Sequence, residues 1–101
     1  MEILTSVYFK KIDCVDFSKS FTKADLESSP VKMVNVWDIH TQQESLCKSS
    51  IEEKKKKSKG FPLAVVHNGI IILLDGHHRA AAKIEQGHRQ LKIRVFNLDK
   101  L

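Results

Sequence analysis

The sequence lacks any apolar run that approaches the ~18 residues needed to cross a membrane, so we expect no transmembrane helix. The amino terminus also lacks the basic start, the long apolar stretch and the small-residue cleavage site of a signal peptide. These two absences favour a cytoplasmic protein that has no membrane partner.

Cysteine is scarce, since the chain has only Cys14 and Cys47, and neither belongs to a motif with metal-ligand spacing. We therefore expect two reduced thiols, as is typical of a cytoplasmic chain. The adjacent His77 and His78 would diverge by ~100° on a helix and could not share one metal ion. The other histidines show no ligand spacing either; they are His40, His67 and His88.

The composition is that of one globular domain. The chain has 101 residues, of which 42% are hydrophobic and 29% are charged, which allows one modest core and predicts a single domain over residues 1–101. The net charge is +5, and the pI of about 9.3 favours anionic partners such as nucleotides, DNA or RNA. Much of the excess lies in residues 54–59, a lysine run more typical of a solvated helix end than of a nucleic-acid contact.

The first half of the chain gives the weaker structural signals. Residues 3–12 are typical of a strand or strand pair, and a short helix capped by Thr22 is expected from about Lys23 to Glu27. The alternation over residues 31–39 predicts a buried strand, with Trp37 in the core.

A capping box is the next signal. Thr41 and Glu44 have its spacing and predict a helix over residues 42–57 that stops before Gly60.

The second half is clearer. Two apolar segments, residues 62–67 and 70–74, flank Asn68-Gly69, which predicts a hairpin with a type I′ turn. A helix over residues 77–86 and a last strand over 91–96 follow, and Gly87 is placed to cap the helix. The order of elements predicts an α+β fold in which two principal helices pack on a mixed sheet.

The segment from Asp75 to Arg79 lies at the predicted strand-to-helix turn. Gly76 allows a sharp bend and a close approach by a ligand, and the first amides of a helix have no acceptor inside it. Together with the helix dipole, these amides form a site for an anion, above all a phosphate. Arg79 adds a planar fork that can bind two phosphate oxygens, while His77 and His78, neutral at a helix N-terminus, add further donors.

Asp75 is the exception in this anion site, because a carboxylate repels a phosphate. Its presence indicates a Mg²⁺ bridge, a substrate hydroxyl to be held, or a structural bond to the amides of the turn. Asp-Gly turns are also common before helices that bind nothing, where Asp75 would serve only as the N-cap. The chemistry of the residues leaves these alternatives open.

The segment from Phe61 through the hairpin to Asp75-Gly76-His77-His78-Arg79 resembles the ParB/sulfiredoxin superfamily. In particular, it is similar to small ParB-like domains with an Asp-Gly-His-x-Arg signature, over about residues 31–96. Gly76, Arg79 and Ala82 fit the pattern Gly-x-x-Arg-x-x-Ala. Thr41-Gln42, at the expected helix start, resembles the segment that precedes the motif in such domains.

The resemblance implies a ParB/sulfiredoxin-like mixed sheet and binding of a nucleotide such as ATP, ADP or CTP. It implies phosphates held by Gly76, by the histidine amides and by Arg79, with Thr41 and Gln42 near them. His77 stands where sulfiredoxins have their nucleophilic cysteine, so reduction of a sulfinic acid is not expected. The chain is also too short for the further domains of a DNA-partition protein.

The sequence therefore predicts a nucleotide-binding domain that acts as a Mg²⁺-dependent phosphotransferase or NTPase, or as a nucleotide-dependent switch. The catalytic candidates are Asp75 and His77, and Asp75 is the candidate for contact with Mg²⁺. The alternative is a nucleic-acid-binding or nuclease-like module in which the same turn grips a backbone phosphate. A homodimer or a larger protein partner is compatible with either function.

Overall fold

Residues 1–13, 15–17, 20–57 and 59–100 are described by the structure, a computed structural model. The α-helices of this part are α1 (Lys23–Glu27), α2 (Lys48–Lys56) and α3 (His77–Glu85). The strands are β1 (Glu2–Leu4), β2 (Lys10–Lys11), β3 (Val31–Asn35), β4 (Ile39–Thr41), β5 (Ser45–Cys47), β6 (Leu63–His67), β7 (Ile70–Asp75) and β8 (Gln90–Asn97). Short 3-10 turns lie at Thr5–Val7, Val36–Asp38 and Leu98–Lys100.

The main sheet has six strands in the order β2-β4-β7-β6-β8-β3. The pairs β2–β4, β4–β7 and β6–β8 are parallel, whereas β6–β7 and β3–β8 are antiparallel. A separate antiparallel pair joins β1 to β5. The prediction of an α+β fold with a mixed sheet is confirmed.

The main sheet must be curled. Strands β3 and β4 lie four places apart in the strand order, which in a flat sheet is ~19 Å. The connection from Asn35 to Ile39 spans four residues and reaches at most ~14 Å when fully extended. The two ends of the sheet are therefore closer together than a flat sheet would allow.

Two apolar clusters form the core. One includes Ile51 of α2 and residues 80–82 of α3 together with strand residues such as Ile93. The other includes Leu26 of α1 with Val65 and Ile72. Helices α2 and α3 thus share one cluster and are also linked by an ion pair between Lys55 Nζ and Glu85 Oε1 (2.7 Å).

Several local predictions are confirmed. Asn68 and Gly69 have φ angles of 52° and 77°, as a type I′ hairpin turn requires. Helix α1 has the expected bounds, and Thr22 forms a capping box with Asp25. Gly87, with φ 95°, follows α3 in the left-handed conformation that ends many helices.

The prediction of a capping box at Thr41 is wrong. Thr41 ends β4, and residues 45–47 form β5 against the amino-terminal strand before α2 begins at Lys48. The Thr41 hydroxyl accepts from the Gln43 amide two residues on, not from the amide of Glu44. Pairing with β1, a contact distant in sequence, replaces the first turn of the expected helix.

The prediction of a buried Trp37 is wrong. Trp37 is 56% exposed, because the expected strand breaks at the 3-10 turn Val36–Asp38 that joins β3 to β4. The amino-terminal segment, expected to be a strand or a strand pair, has two short strands, β1 and β2, which are separated by a 3-10 turn and pair with different strands. Among the described residues, no helix has the length and apolar character that a membrane crossing requires.

Candidate functional site

Gly76 separates the end of β7 from the start of α3 and has a φ of 84°. A Cβ at this position would lie 2.8 Å from the Cα of Pro62, well inside van der Waals contact. Glycine is therefore required here both by the left-handed backbone and by the close approach of the neighbouring chain.

The amides of the turn divide into two groups. The Gly76 N–H donates to Oδ1 of Asp75 (2.8 Å), so one of the expected roles of Asp75, a bond to the turn itself, is present. The first hydrogen bond inside α3 runs from the Ala80 N–H to the Gly76 carbonyl (2.9 Å). The N–H groups of residues 77–79 precede that bond and have no acceptor within the helix, so they supply donors at its positive end.

A pocket of about 230 Å³, here called the turn pocket, opens at these amides. Among its described lining residues, the cations are Lys54 of α2 and Arg79 of α3, and the one carboxylate is Asp75. The local charge is therefore positive when the histidines are neutral, and the helix dipole adds to it. The lining residues are Gln43, Lys54, Leu74, Asp75, Gly76, His77, His78 and Arg79.

His77 is the buried member of the turn, with 5% of its surface exposed. Its Nε2 lies 2.6 Å from the hydroxyl of Thr41, and its ring also hydrogen-bonds to the backbone of Leu73. Burial lowers the pKa of His77 to about 4, against a partial opposing effect of the Asp75 carboxylate. The imidazole is therefore neutral at pH 7 and ties α3 to β4 and β7.

His78 points toward the start of α2. Its Nε2 accepts a hydrogen bond from the Cys47 N–H (3.0 Å). Partial burial, followed by the charge of Lys54, lowers the pKa of His78, which suits a ring nitrogen that must remain an acceptor. Because Cys47 is the N-cap residue of α2, this bond fixes the helix that carries Lys54 relative to the turn.

A second concavity of about 560 Å³, here called the apolar pocket, adjoins the turn pocket. The two share Gln43, Leu74 and His77 among their lining residues. Its remaining lining residues are Val15, Phe17, Phe21, Gln42 and Leu73, none of which is charged. A charged, donor-rich pocket and an uncharged, aromatic one thus meet at the end of β7.

Of the residues predicted for phosphate binding, Gly76, His77, His78 and Arg79 line the turn pocket, whereas Thr41 and Gln42 do not. Thr41 is fully buried, and its hydroxyl is engaged by His77 and by the Gln43 amide. Gln42 lines the apolar pocket, where its Oε1 accepts from the Val15 N–H. Both were placed near the phosphates on the basis of a helix start that the structure moves to Lys48.

Three lining residues of the turn pocket are not predicted from the sequence as site residues: Gln43, Lys54 and Leu74. The sequence analysis places Lys54 at a solvated helix end. Consecutive lysines show no periodicity that would distinguish a side chain facing the protein from one facing solvent. Only the packing of α2 beside α3 turns this lysine toward the turn. The sequence held no local signal for it.

The described residues contain no cluster of three or more side chains suited to hold a metal ion. With Asp75 as the one carboxylate ligand, the turn fits Mg²⁺ in the manner of nucleotide sites, where phosphates and water supply most of the ligands. Of the two thiols expected to be reduced, Cys47 is a free cysteine, and Cys14 lies outside the described residues.

Comparison with known proteins adds no further assignment to this geometry: no family model, no curated protein and no solved structure matches the chain.

Proposed function

We propose that this chain is a nucleotide-binding domain of the ParB/sulfiredoxin type that holds phosphates at the turn from Asp75 to Arg79. The observation that carries the proposal is the turn pocket, in which the amides at the start of α3, which have no acceptor inside the helix, meet cations from two different helices. Backbone donors, a helix dipole and positive side chains at one point are the features that favour a phosphate.

The charge balance supports an anion at this point despite the carboxylate of Asp75. Lys54 and Arg79 contribute two positive charges against one negative charge, and the lowered pKa values of His77 and His78 keep both rings neutral. Oδ1 of Asp75 also accepts the hydrogen bond from the Gly76 N–H, which partly offsets the negative charge of the carboxylate. Its other oxygen faces a bound Mg²⁺ or a substrate hydroxyl in this proposal.

The apolar pocket supports a nucleotide in preference to inorganic phosphate. A base and sugar attached to a phosphate in the turn pocket would pass Gln43 and Leu74 and reach Phe17 and Phe21. Aromatic side chains offer stacking surfaces, and uncharged amides offer the hydrogen bonds that orient such ligands. The two pockets together thus match the two chemical halves of a nucleotide.

With Mg²⁺, the domain either transfers or hydrolyses a phosphate or acts as a nucleotide-dependent switch. Of the catalytic candidates, Asp75 is exposed in the turn pocket, whereas His77 is buried, neutral and hydrogen-bonded to Thr41. We therefore favour Asp75 for contact with the metal or the nucleophile. His77 then serves to hold the turn in place.

The direct test is thermal unfolding with ATP, ADP, CTP and GTP, each with and without Mg²⁺, and with adenosine and cytidine as controls. A ligand at about 100 times its Kd stabilises the folded state by roughly 2.7 kcal/mol, which for a domain of this size raises Tm by ~10 °C or more. We expect at least one nucleotide to give this shift and the nucleosides to give little.

Variants of the two cations then locate the site. Arg79→Ala and Lys54→Ala are expected to lower nucleotide affinity by at least tenfold, whereas Lys56→Ala, an exposed lysine on the same helix, is the matched control. Absence of a shift with any nucleotide would contradict the proposed function. Equal effects of Lys54→Ala and Lys56→Ala would contradict the placement of the phosphates.

A further inference from the structure

A third concavity, of about 450 Å³, lies on the other side of Arg79 and is here called the basic pocket. It is formed where β8 extends beyond the start of β6, since β6 pairs with β8 only from Arg94 onward. Its lining residues are Met33, Gly60, Phe61, Pro62, Arg79, Ala80, Lys83, His88, Gln90, Leu91 and Lys92.

The charged residues described in the lining of the basic pocket are all positive. Arg79, Lys83 and Lys92 contribute three cations, and none of the described lining residues is acidic. Lys83 and Lys92 are exposed and make no ion pair with any other described residue. Such a concentration of positive charge attracts an anion. The basic pocket and the turn pocket share Arg79, whereas Lys83 and Lys92 lie outside the turn pocket.

Apolar side chains occupy the same pocket. Phe61 is 37% exposed and Met33 is 55% exposed, although both are large hydrophobic residues. The guanidinium of Arg94 lies 5.5 Å from the centre of the Phe61 ring, which leaves the ring braced on one side. An exposed, supported aromatic ring beside lysines is suited to stack a nucleobase whose phosphate the lysines neutralise.

The backbone of β8 also faces this space. The Arg94 N–H donates to the Pro62 carbonyl on the β6 side of the strand, and residues two apart on a strand direct their backbone groups the same way. The N–H and C=O of Lys92 therefore point toward the gap that precedes β6. They add a donor and an acceptor of the kind that can contact the edge of a base.

We propose that the basic pocket binds single-stranded nucleic acid, with a base against Phe61 and backbone phosphates at Lys83 and Lys92. Arg79 lines both the basic pocket and the turn pocket, so successive phosphates of one strand can extend from one to the other. A duplex is disfavoured, because its bases are stacked on one another and are not free to contact Phe61. This inference does not depend on the proposed nucleotide site, which lacks Lys83, Lys92 and Phe61.

The test is fluorescence anisotropy at 50 mM salt with labelled 12-mers of deoxythymidine and of uridine, and with a 12-base-pair duplex. The double variant Lys83→Gln/Lys92→Gln is expected to weaken single-strand binding at least tenfold. It should also lower the slope of log affinity against log salt by about 1.4, as the loss of two phosphate contacts requires. Phe61→Leu, which keeps an apolar side chain, is expected to cost about tenfold through lost stacking.

The matched control is Lys56→Gln/Lys57→Gln, which removes the same charge from exposed residues elsewhere and should change affinity less than twofold. Equal weakening by the control, equal affinity for the duplex, or no binding of either 12-mer would overturn the proposal. The thermal shift with nucleotides should be unchanged in Lys83→Gln/Lys92→Gln. A loss there would assign these lysines to the nucleotide site and would also overturn a separate role.

Discussion

Thr41 and His77 are joined by a hydrogen bond of 2.6 Å between Oγ1 and Nε2, although they are 36 positions apart in the chain. Thr41 ends β4 and His77 begins α3, so this bond connects the sheet to the first turn of the helix. Both residues are buried, and the Thr41 hydroxyl also accepts from the Gln43 amide. The hydrogen bond between Thr41 and His77 therefore fixes the position of the first turn of α3, whose amides follow His77.

Thr41→Val should destabilise the fold, because it leaves the buried His77 ring nitrogen without its partner. We expect the free energy of unfolding in urea to fall by about 1 to 3 kcal/mol. Thr41→Ser keeps the hydroxyl and should cost clearly less than the valine variant. Equal losses in the two variants would contradict this account, because the methyl group would then contribute as much as the hydrogen bond.

The stability of the protein should depend on pH through His77. Its pKa is lowered from 6.5 in the unfolded chain to about 4 in the folded one, so the unfolded state takes up the proton first as pH falls. Stability should be unaffected by this group above pH 6.5, fall by about 3 kcal/mol between pH 6.5 and 4, and level off below. Urea titrations across this range provide the measurement.

His77→Gln isolates this effect from the other titrating groups. The variant should lose most of the pH dependence between 6.5 and 4, whereas His88→Gln, which changes an exposed histidine, should keep it. If wild type and His77→Gln have parallel pH profiles, the imidazole is not buried in the neutral form.

Gly76→Ala should combine two penalties. A left-handed φ costs an L-residue about 1 to 2 kcal/mol, and the new Cβ would also lie 2.8 Å from the Pro62 Cα. Gly69→Ala is the matched control, because Gly69 has a φ of 77° and open space around it. We expect the unfolding free energy to fall further in Gly76→Ala than in Gly69→Ala; equal losses would contradict the close approach of Pro62.

Cys47 should be unusually reactive for a thiol. Hydrogen bonds to two serines lower the pKa of Cys47 from 9.0 to about 7. The side chain of Ser49 contributes most, and Ser50 adds to the effect. In a Cys14→Ser background, the rate of alkylation by iodoacetamide should therefore rise with an inflection near pH 7. Ser49→Ala should move the inflection to higher pH, and an inflection near 9 in both proteins would refute the assignment.

The second half of the fold could be predicted from the sequence because its signals are local. Asn68-Gly69 fixes the hairpin turn, and the apolar segments on either side have no competing assignment. Thr22 and Gly87 likewise mark helix ends through contacts a few residues away. Such signals depend on nothing outside a short window of sequence.

Apart from α1, which has the expected bounds, much of the first half could not be predicted, because distant pairing decides it. Ser45–Cys47 pairs with Glu2–Leu4, and no window around residue 45 contains that partner. The local capping box was therefore given a helix that begins six residues too early. The expectation of a buried Trp37 fails for a similar reason, since the 3-10 turn that exposes it joins two strands, β3 and β4, that pair with distant partners.

The candidate site shows the same division. The turn from Asp75 to Arg79 was identified from adjacent residues and lies at the expected strand-to-helix junction. Lys54 and Gln43, which complete the turn pocket, come from segments whose structure depends on distant contacts. The sequence thus indicated the donors of the turn and missed the neighbours that enclose it.

The central claim is that the amides at the start of α3 bind the phosphates of a nucleotide. The most direct measurement follows the backbone ¹H–¹⁵N signals of the protein during titration with ATP and CTP in the presence of Mg²⁺, with the nucleosides as controls. We predict saturable shifts that are largest at Gly76, His77, His78 and Arg79 and that the nucleosides do not reproduce. Nucleotide-induced shifts confined to other regions, or none at millimolar nucleotide, would contradict the account.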